Sequence, residues 1–357
     1  MEAATHLLRR GFEVAVADNE GEPSQMPIWG ALLLGVTFIF FVVVLFTINY
    51  TFGHILPTLL MIESPQEAII FEPLATEDPD STIKDPEQAA ARPPYITSSF
   101  RQTIKHLGGV SGRFRGFWVF VANALIVQWI ANMLIFIPFV PRGVATVIGA
   151  VIVALLPLTW THIVISEPSP KFWFRRIPSF KMWRKVAVPT AVLAVAEQIT
   201  ALVPLKLAIV AGLNKDAKYT AQLSPHAQAM LALEGFGIAA LSIALSFLFV
   251  LPASVTLTRV QASLLPDTEE TIVPFDRSFG GKVIPEIVGG SGVLSMLDAW
   301  TSFDWSSRLR LVKAYAKVYA LTFLATMLFS ICLVGEMFLI AGKDWASVLP
   351  GKGHKDL

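Results

Sequence analysis

The sequence predicts an all-α integral membrane protein: six transmembrane helices built as three two-helix repeats with pseudo-three-fold symmetry, and short surface helices in the odd-numbered loops. Three observations carry this expectation. Of the 357 residues, 54% are hydrophobic and only 15% charged, against about 25% charged in a typical soluble domain. Apolar stretches long enough to span a bilayer, about 20 residues at the helical rise, lie near residues 28–56, 116–138, 143–165, 186–213, 229–257 and 312–341. Pro57, Pro157 and Pro252 recur at intervals of 100 and 95 residues, each near the end of the first of two apolar stretches. A near-constant internal period marks a repeated structural unit.

The connections alternate in length. Between the second and third spans there is little more than Val140-Pro141-Arg142, and between the fourth and fifth a polar turn with Lys215, Asp216 and Lys218. The odd connections are long and rich in Lys and Arg: Lys84, Arg92, Arg101, Lys105, Arg113 and Arg115 in the first, Lys171, Arg175, Arg176, Lys181, Arg184 and Lys185 in the second, Arg259, Arg277, Lys282, Arg308 and Arg310 in the third. Positive charge holds loops on the side from which insertion is driven, so the three long loops are expected on one face and both termini on the other. The organisation that follows is a polar tail at 1–27, repeat 1 at 28–139, repeat 2 at 140–213, repeat 3 at 214–341 and a second tail at 342–357.

Within repeat 1, residues 63–94 form an acidic, proline-rich insertion, with Glu72, Glu77, Asp78, Asp80, Asp85 and Glu87 among Pro73, Pro79, Pro86, Pro93 and Pro94. Such a composition cannot bury enough apolar surface to order itself, and the insertion reads as a solvated loop able to recruit a protein partner. After it, residues 96–107 mix apolar and basic side chains and end at Gly108-Gly109, as expected of a short surface helix with a glycine stop. Residues 293–303 are the counterpart in the third loop. The glycines at 280–281 and 289–292 follow no strand and precede no Lys-Ser/Thr, so they read as turns and not as a phosphate cradle.

Composition also excludes functions. A net charge of +1 does not suit a nucleic-acid binder, and the single Cys332 permits neither an internal disulfide nor a cysteine-based zinc site. No nucleophile elbow, His-Glu-x-x-His, Walker loop or CxxC occurs, so neither an enzyme nor a cofactor or metal site is expected. The tail at 1–27 carries five acids beside Arg9 and Arg10, which suits neither a secretory signal nor a transit peptide.

The stretch Pro252-Ala253-Ser254-Val255-Thr256-Leu257-Thr258-Arg259-Val260-Gln261 and its weaker counterparts resemble the signature of the mitochondrial carrier family, solute carrier family 25. That signature runs proline, any residue, acid, two residues, base, one residue, base, often with glutamine two positions on. Pro252, Arg259 and Gln261 occupy matching slots, Pro57 and Gln66 match in the first copy, and Pro157 with His162 in the second. Gly108-Gly109-Val110-Ser111-Gly112-Arg113-Phe114-Arg115-Gly116 is similar to the family's second motif. The chain departs from the family at the acidic slots, which hold Leu59, Thr159 and Ser254, and at two of the first basic slots, which hold Ile62 and Leu257. The ring of ion pairs by which the family closes its matrix side has no residues to form it here. Closure would rest on apolar packing of Leu59, Ile62 and Leu257, a hydrophobic constriction.

What the resemblance implies is a transporter of a small metabolite in the mitochondrial membrane, the inner more than the outer, with a degenerate matrix gate formed around Pro57, Pro157, His162, Pro252, Arg259 and Gln261. Polar side chains inside spans are functional candidates by default. Gln128, Glu197 and Gln198 fall near the depth at which the resembled family contacts substrate, and with Lys206 they are the expected lining of a substrate cavity. Lys206 lies nine residues beyond Glu197, about 13.5 Å along a helix, so the two cannot pair along it. Gln128 and Gln198 equally fit interhelical hydrogen bonds, and His162 a hydrogen-bonded interface position. Trp29, Trp118, Trp160, Trp173, Trp183, Trp305 and Trp345 read as interfacial belt anchors. With the basic surface helices they would hold anionic lipid, and the resemblance implies cardiolipin. Two other readings remain: a carrier-shaped membrane adaptor or scaffold without transport, and a six-span protein of another endomembrane.

Overall fold

The computed structural model describes residues 27–64, 95, 97, 103–105, 107–109 and 111–341. The two tails, most of the acidic insertion and most of the surface helix expected at 96–107 lie outside them. Among the described residues the chain is helical, without strands beyond one isolated bridge between Ser166 and Thr271. It is an integral membrane protein by its helices: five are long and apolar enough to cross a bilayer, or six if a bent pair forms one span.

In chain order these are α1 (Ile28–Ile62), α2 (Phe117–Leu134), the bent pair α3 (Arg142–Ile152) and α4 (Leu155–Ile165), α5 (Phe180–Val210), the short α6 (Ala217–Gln222), α7 (Pro225–Ser263), the short α8 (Met296–Thr301) and α9 (Trp305–Ala341). Much of their outward surface is apolar: Leu125 and Trp129 on α2, Val188 on α5, Leu233 and Phe236 on α7 are all exposed. In water such surface would aggregate; in lipid it is the required face, because a helix satisfies its own backbone and leaves only hydrocarbon outside.

Several spans run beyond their apolar stretches. The α1 helix continues past Pro57 to Ile62, α7 continues past Pro252 to Ser263, and α5 begins at Phe180. Apolarity stops at the first charge, whereas helical hydrogen bonding does not, and basic side chains at a span end keep their heads in the polar layer. The short helix expected at 293–303 is α8, with Ser295 as N-cap: its hydroxyl accepts from the Asp298 amide at 3.1 Å.

The chain divides into two compact units. One comprises the residues up to Asn49 and from Val318 onward. In it Phe41 packs on Phe329 with ring centroids 4.4 Å apart, and the Thr37 hydroxyl donates to the Glu336 carboxylate. A Cβ at Gly30 would lie 3.0 Å from Ile340, so glycine permits that approach.

The other unit, Tyr50–Lys317, holds the three prolines. Each stands just after a disturbance of its helix. Proline lacks the N–H and its ring collides with the carbonyl four residues back. For Pro57 that residue is Gly53, inside a π-helical turn at Asn49–Ile55; for Pro252 it is Leu248, inside a π-helical turn at Ser246–Val250. For Pro157 it is Val153, where α3 and α4 part at 59°. Proline alone does not impose this, since α5 carries Pro189 and Pro204 and stays α-helical.

What the three sites share is the packing downstream. The segments Leu56–Ile62, Leu155–Ile165 and Leu251–Ser263 each touch the other two. Leu59, Ile62, Leu158, Val164, Val255 and Leu257 are buried there. One apolar cluster joins Leu56, Leu60 and Met61 to Leu251, Val255, Phe303 and Leu311; a second joins Ala154 and Leu158 to Val186 and Leu264.

Candidate functional site

The three post-proline segments end together, and polar groups tie the ends. Thr161 donates its hydroxyl to the Gln261 side-chain oxygen at 2.6 Å. His162 Nε2 lies 2.9 Å from the Gln261 carbonyl, so that nitrogen carries the proton. Arg259, only 8% exposed, donates to the Met61 carbonyl at 3.1 Å and to Ser302 Oγ at 2.9 Å. Its guanidinium lies over the rings of Phe279 and Phe303, 4.8 and 5.4 Å from their centroids. The predicted residues Pro57, Pro157, His162, Pro252, Arg259 and Gln261 thus belong to one junction. Among the described residues none of these six side chains forms an ion pair.

The loops close over the same end. Ile272 donates its amide to Ile165 at 3.0 Å and Glu167 donates to Glu270 at 2.8 Å, while the Ser64 amide donates to Pro274 at 3.0 Å. The third loop therefore binds the ends of both α1 and α4. Arg176 pairs with Glu269 at 2.6 Å and donates to Ser166 Oγ at 2.7 Å. Glu63, at the end of α1, accepts from the Thr97 amide at 3.2 Å, from the Thr97 hydroxyl, and from Arg310 at 3.2 Å. Arg310 also stacks over Tyr95 at 3.4 Å. Both margins of the acidic insertion are fastened at this point.

Turn geometry in the third loop follows from Asp276. Its carboxylate accepts from the Ser278 hydroxyl at 2.7 Å, the Ser278 amide at 2.8 Å and the Gly280 amide at 2.6 Å. The Ser278 hydroxyl first, then these amides, hold the acid below its usual range. Phe279, Gly280 and Gly281 that follow have positive φ, so these glycines make a turn, as their sequence context predicts.

Beside the junction lies a second residue set, which joins Arg115 and Trp160 to Tyr50 and His54. Arg115 donates to the carbonyls of Ile163, at 3.0 Å, and Ser166. Tyr50, fully buried, donates to the Arg115 carbonyl at 2.5 Å and accepts from Trp160 Nε1 at 3.0 Å. His54 packs against Phe120, their centroids 5.0 Å apart. Trp160 is therefore an internal tie and not a belt anchor. Trp183 is another correction: its Nε1 donates to the Val151 carbonyl at 2.8 Å inside the second apolar cluster. Both indoles turn inward because a buried backbone or hydroxyl acceptor is within reach. Trp29, Trp118 and Trp305 are exposed, as belt residues should be; Trp345 lies outside the described residues.

Gly116 shows how tight this corner is. Its φ is +69°, and a Cβ there would come within 2.8 Å of Trp160 Cδ1. Gly116→Ala is expected to cost about 2 kcal/mol, roughly half from the left-handed backbone and the rest from displacing the indole. Unfolding in detergent checks this, and an unchanged midpoint would contradict it.

The cavity candidates are placed differently. Gln128 is exposed and donates to Asn132 one turn on, at 3.3 Å. Gln198 lies against α3, its Oε1 3.3 Å from where a Gly143 Cβ would be. Glu197 and Lys206 are exposed and form no ion pair among the described residues. A groove of about 500 Å³ between α5, α7 and α8 is lined by Ala196, Ile199, Phe249, Pro252, Thr256 and Trp300, among others, and by none of these four. It is apolar, since Thr256 spends its hydroxyl on the Pro252 carbonyl at 2.8 Å. Comparisons with protein-family models, with curated proteins and with solved structures give no match.

Proposed function

We propose that the chain is a carrier-like transporter of a small metabolite, a divergent member of the mitochondrial carrier family with a degenerate gate, in a mitochondrial membrane and more readily the inner one. The observation that carries this reading is the mutual packing of three post-proline segments, each set off by a disturbed turn. It is the arrangement expected of three two-helix repeats around a pseudo-three-fold axis. Alternating access needs an end that closes by packing and can part again, and three segments that each follow a disturbed turn beside a proline supply one. Gln128, Glu197, Gln198 and Lys206 are the proposed polar lining, and the basic loops the proposed contact with anionic lipid such as cardiolipin.

Purified protein in liposomes, assayed with radiolabelled carboxylates, amino acids and nucleotides in turn, tests the proposal. Saturable exchange of one class above protein-free liposomes is expected, at a rate lowered at least tenfold by Glu197→Gln. Absence of flux for every class would defeat it. A non-transporting membrane adaptor is the second reading, favoured by Leu59 and Thr159, which are buried and uncharged where the resembled family carries acids. Lack of flux together with loss of a protein partner on deleting residues 65–94 would support that reading.

A further inference from the structure

A carboxylate is not the sole counter-charge that a basic side chain can use. The last carbonyls of an α-helix lack intrahelical partners, and the aligned peptide dipoles place roughly half a negative charge there. In this chain each post-proline segment has such carbonyls taken by a base from another repeat. Arg115 of repeat 1 donates to Ile163 and Ser166 at the end of α4. His162 of repeat 2 donates to Gln261 at the end of α7. Arg259 of repeat 3 donates to Met61 at the end of α1. The order is cyclic: first to second, second to third, third to first.

We propose that these three base-to-carbonyl bonds form a closed ring that latches the common end of the post-proline segments. It takes the place of an ion-pair ring, with peptide carbonyls standing where carboxylates are missing at Leu59, Thr159 and Ser254. The proposal rests on the reading of this end as one that opens. Arg115 stands just before α2, and the Tyr50 hydroxyl that donates to its carbonyl ties it to α1. With that tie the ring holds all three segments under mutual constraint, so loss of one base loosens segments that it does not touch. In a set of independent caps, loss of one base disturbs its own helix alone. The geometry separates these cases: Arg115 touches α4, whereas Leu257 is buried on the post-proline part of α7.

The test uses the full chain in liposomes with Cys332→Ser, which removes its one thiol, and Leu257→Cys as reporter. Labelling by a membrane-impermeant maleimide is expected to be slow in this background. It should rise roughly tenfold or more on adding Arg115→Met, the loss of a charged hydrogen bond being worth at least about a decade. Arg115→Lys, which keeps the charge but not the fork reaching two carbonyls, should give a smaller rise. Thermal unfolding of each variant shows that labelling is measured on folded protein, and if Arg115→Met does not fold, Arg115→Lys and Arg115→Gln carry the test. An unchanged labelling rate in folded variants would overturn the latch. Faster labelling with no flux of any solute would leave the latch standing and remove the transporter.

Discussion

Arg259→Ala is expected to destabilise the protein by about 3 kcal/mol, read from unfolding in detergent. The guanidinium donates to Met61 and Ser302 and lies over the rings of Phe279 and Phe303. A hydrogen bond from a charged group is worth about 1.5–3 kcal/mol and a shielded cation over an aromatic ring up to about 2 kcal/mol. Removing the side chain also relieves the cost of holding a cation away from water, which brings the sum down. Truncation leaves the Met61 carbonyl facing a void where two helix ends meet, and that part of the loss has no relief. Arg259→Lys keeps the charge but cannot reach Met61 and Ser302 with the same planar fork, so about half the effect should remain. A variant Arg259→Ala as stable as its parent would show that the junction is held by apolar contacts alone.

Glu63→Ala should have a comparable effect, about 3 kcal/mol, from a different cause. The Glu63 side chain is fully buried and accepts from the Thr97 amide, the Thr97 hydroxyl and Arg310. Deleting one member of a buried ion pair typically costs about 3–5 kcal/mol, because the other charge is left without compensation. Arg310 is 21% exposed, so water takes up part of its charge and the lower end of that range applies. Glu63→Gln preserves the acceptor towards Thr97 and loses the attraction to Arg310, and should cost about 1 kcal/mol. The same variants should make protease cleavage near residues 95–97 faster for Ala than for Gln. Equal stability of all three forms would deny Glu63 its anchoring role.

Much of this architecture could be read from the chain. Six apolar stretches, the alternation of short and long connections and the short helix near Met296 follow from composition, whereas its cap Ser295 emerges from the structure. The recurrence of Pro57, Pro157 and Pro252 pointed to the helices that meet. Their exact course was less legible. Leu56–Ile62 continues helically where hydropathy marks an end, because a helix stops at its last backbone bond and not at its last apolar residue. The break at Val153–Ala154 falls within an unbroken apolar run, and nothing in side-chain type distinguishes it.

The polar bonds of the junction were hidden for a more general reason. A search for counter-charges looks for Asp and Glu, whereas Arg115, His162 and Arg259 are answered by the carbonyls of Ile163, Gln261 and Met61. Every residue has a carbonyl, so the acceptor leaves no mark in the sequence. Trp160 and Trp183 follow the same rule. Their position near span ends is that of a belt residue, and the acceptors that draw them inward, the Tyr50 hydroxyl and the Val151 carbonyl, are remote in the chain or invisible in it.

The widened turn at Ser246–Val250 has a bearing on how the chain tolerates changes of length. A π turn holds one residue more than an α turn, so shortening the chain by one position within it can be absorbed by tightening that turn. The angular phase of Arg259 and Gln261 is then kept. The same deletion at Leu241, in the regular part of α7, would swing everything after it by about 100° and point both side chains away from their partners. Ser246–Val250 is thus a slack link, where an indel is tolerated that a neighbouring turn would turn into a misaligned helix.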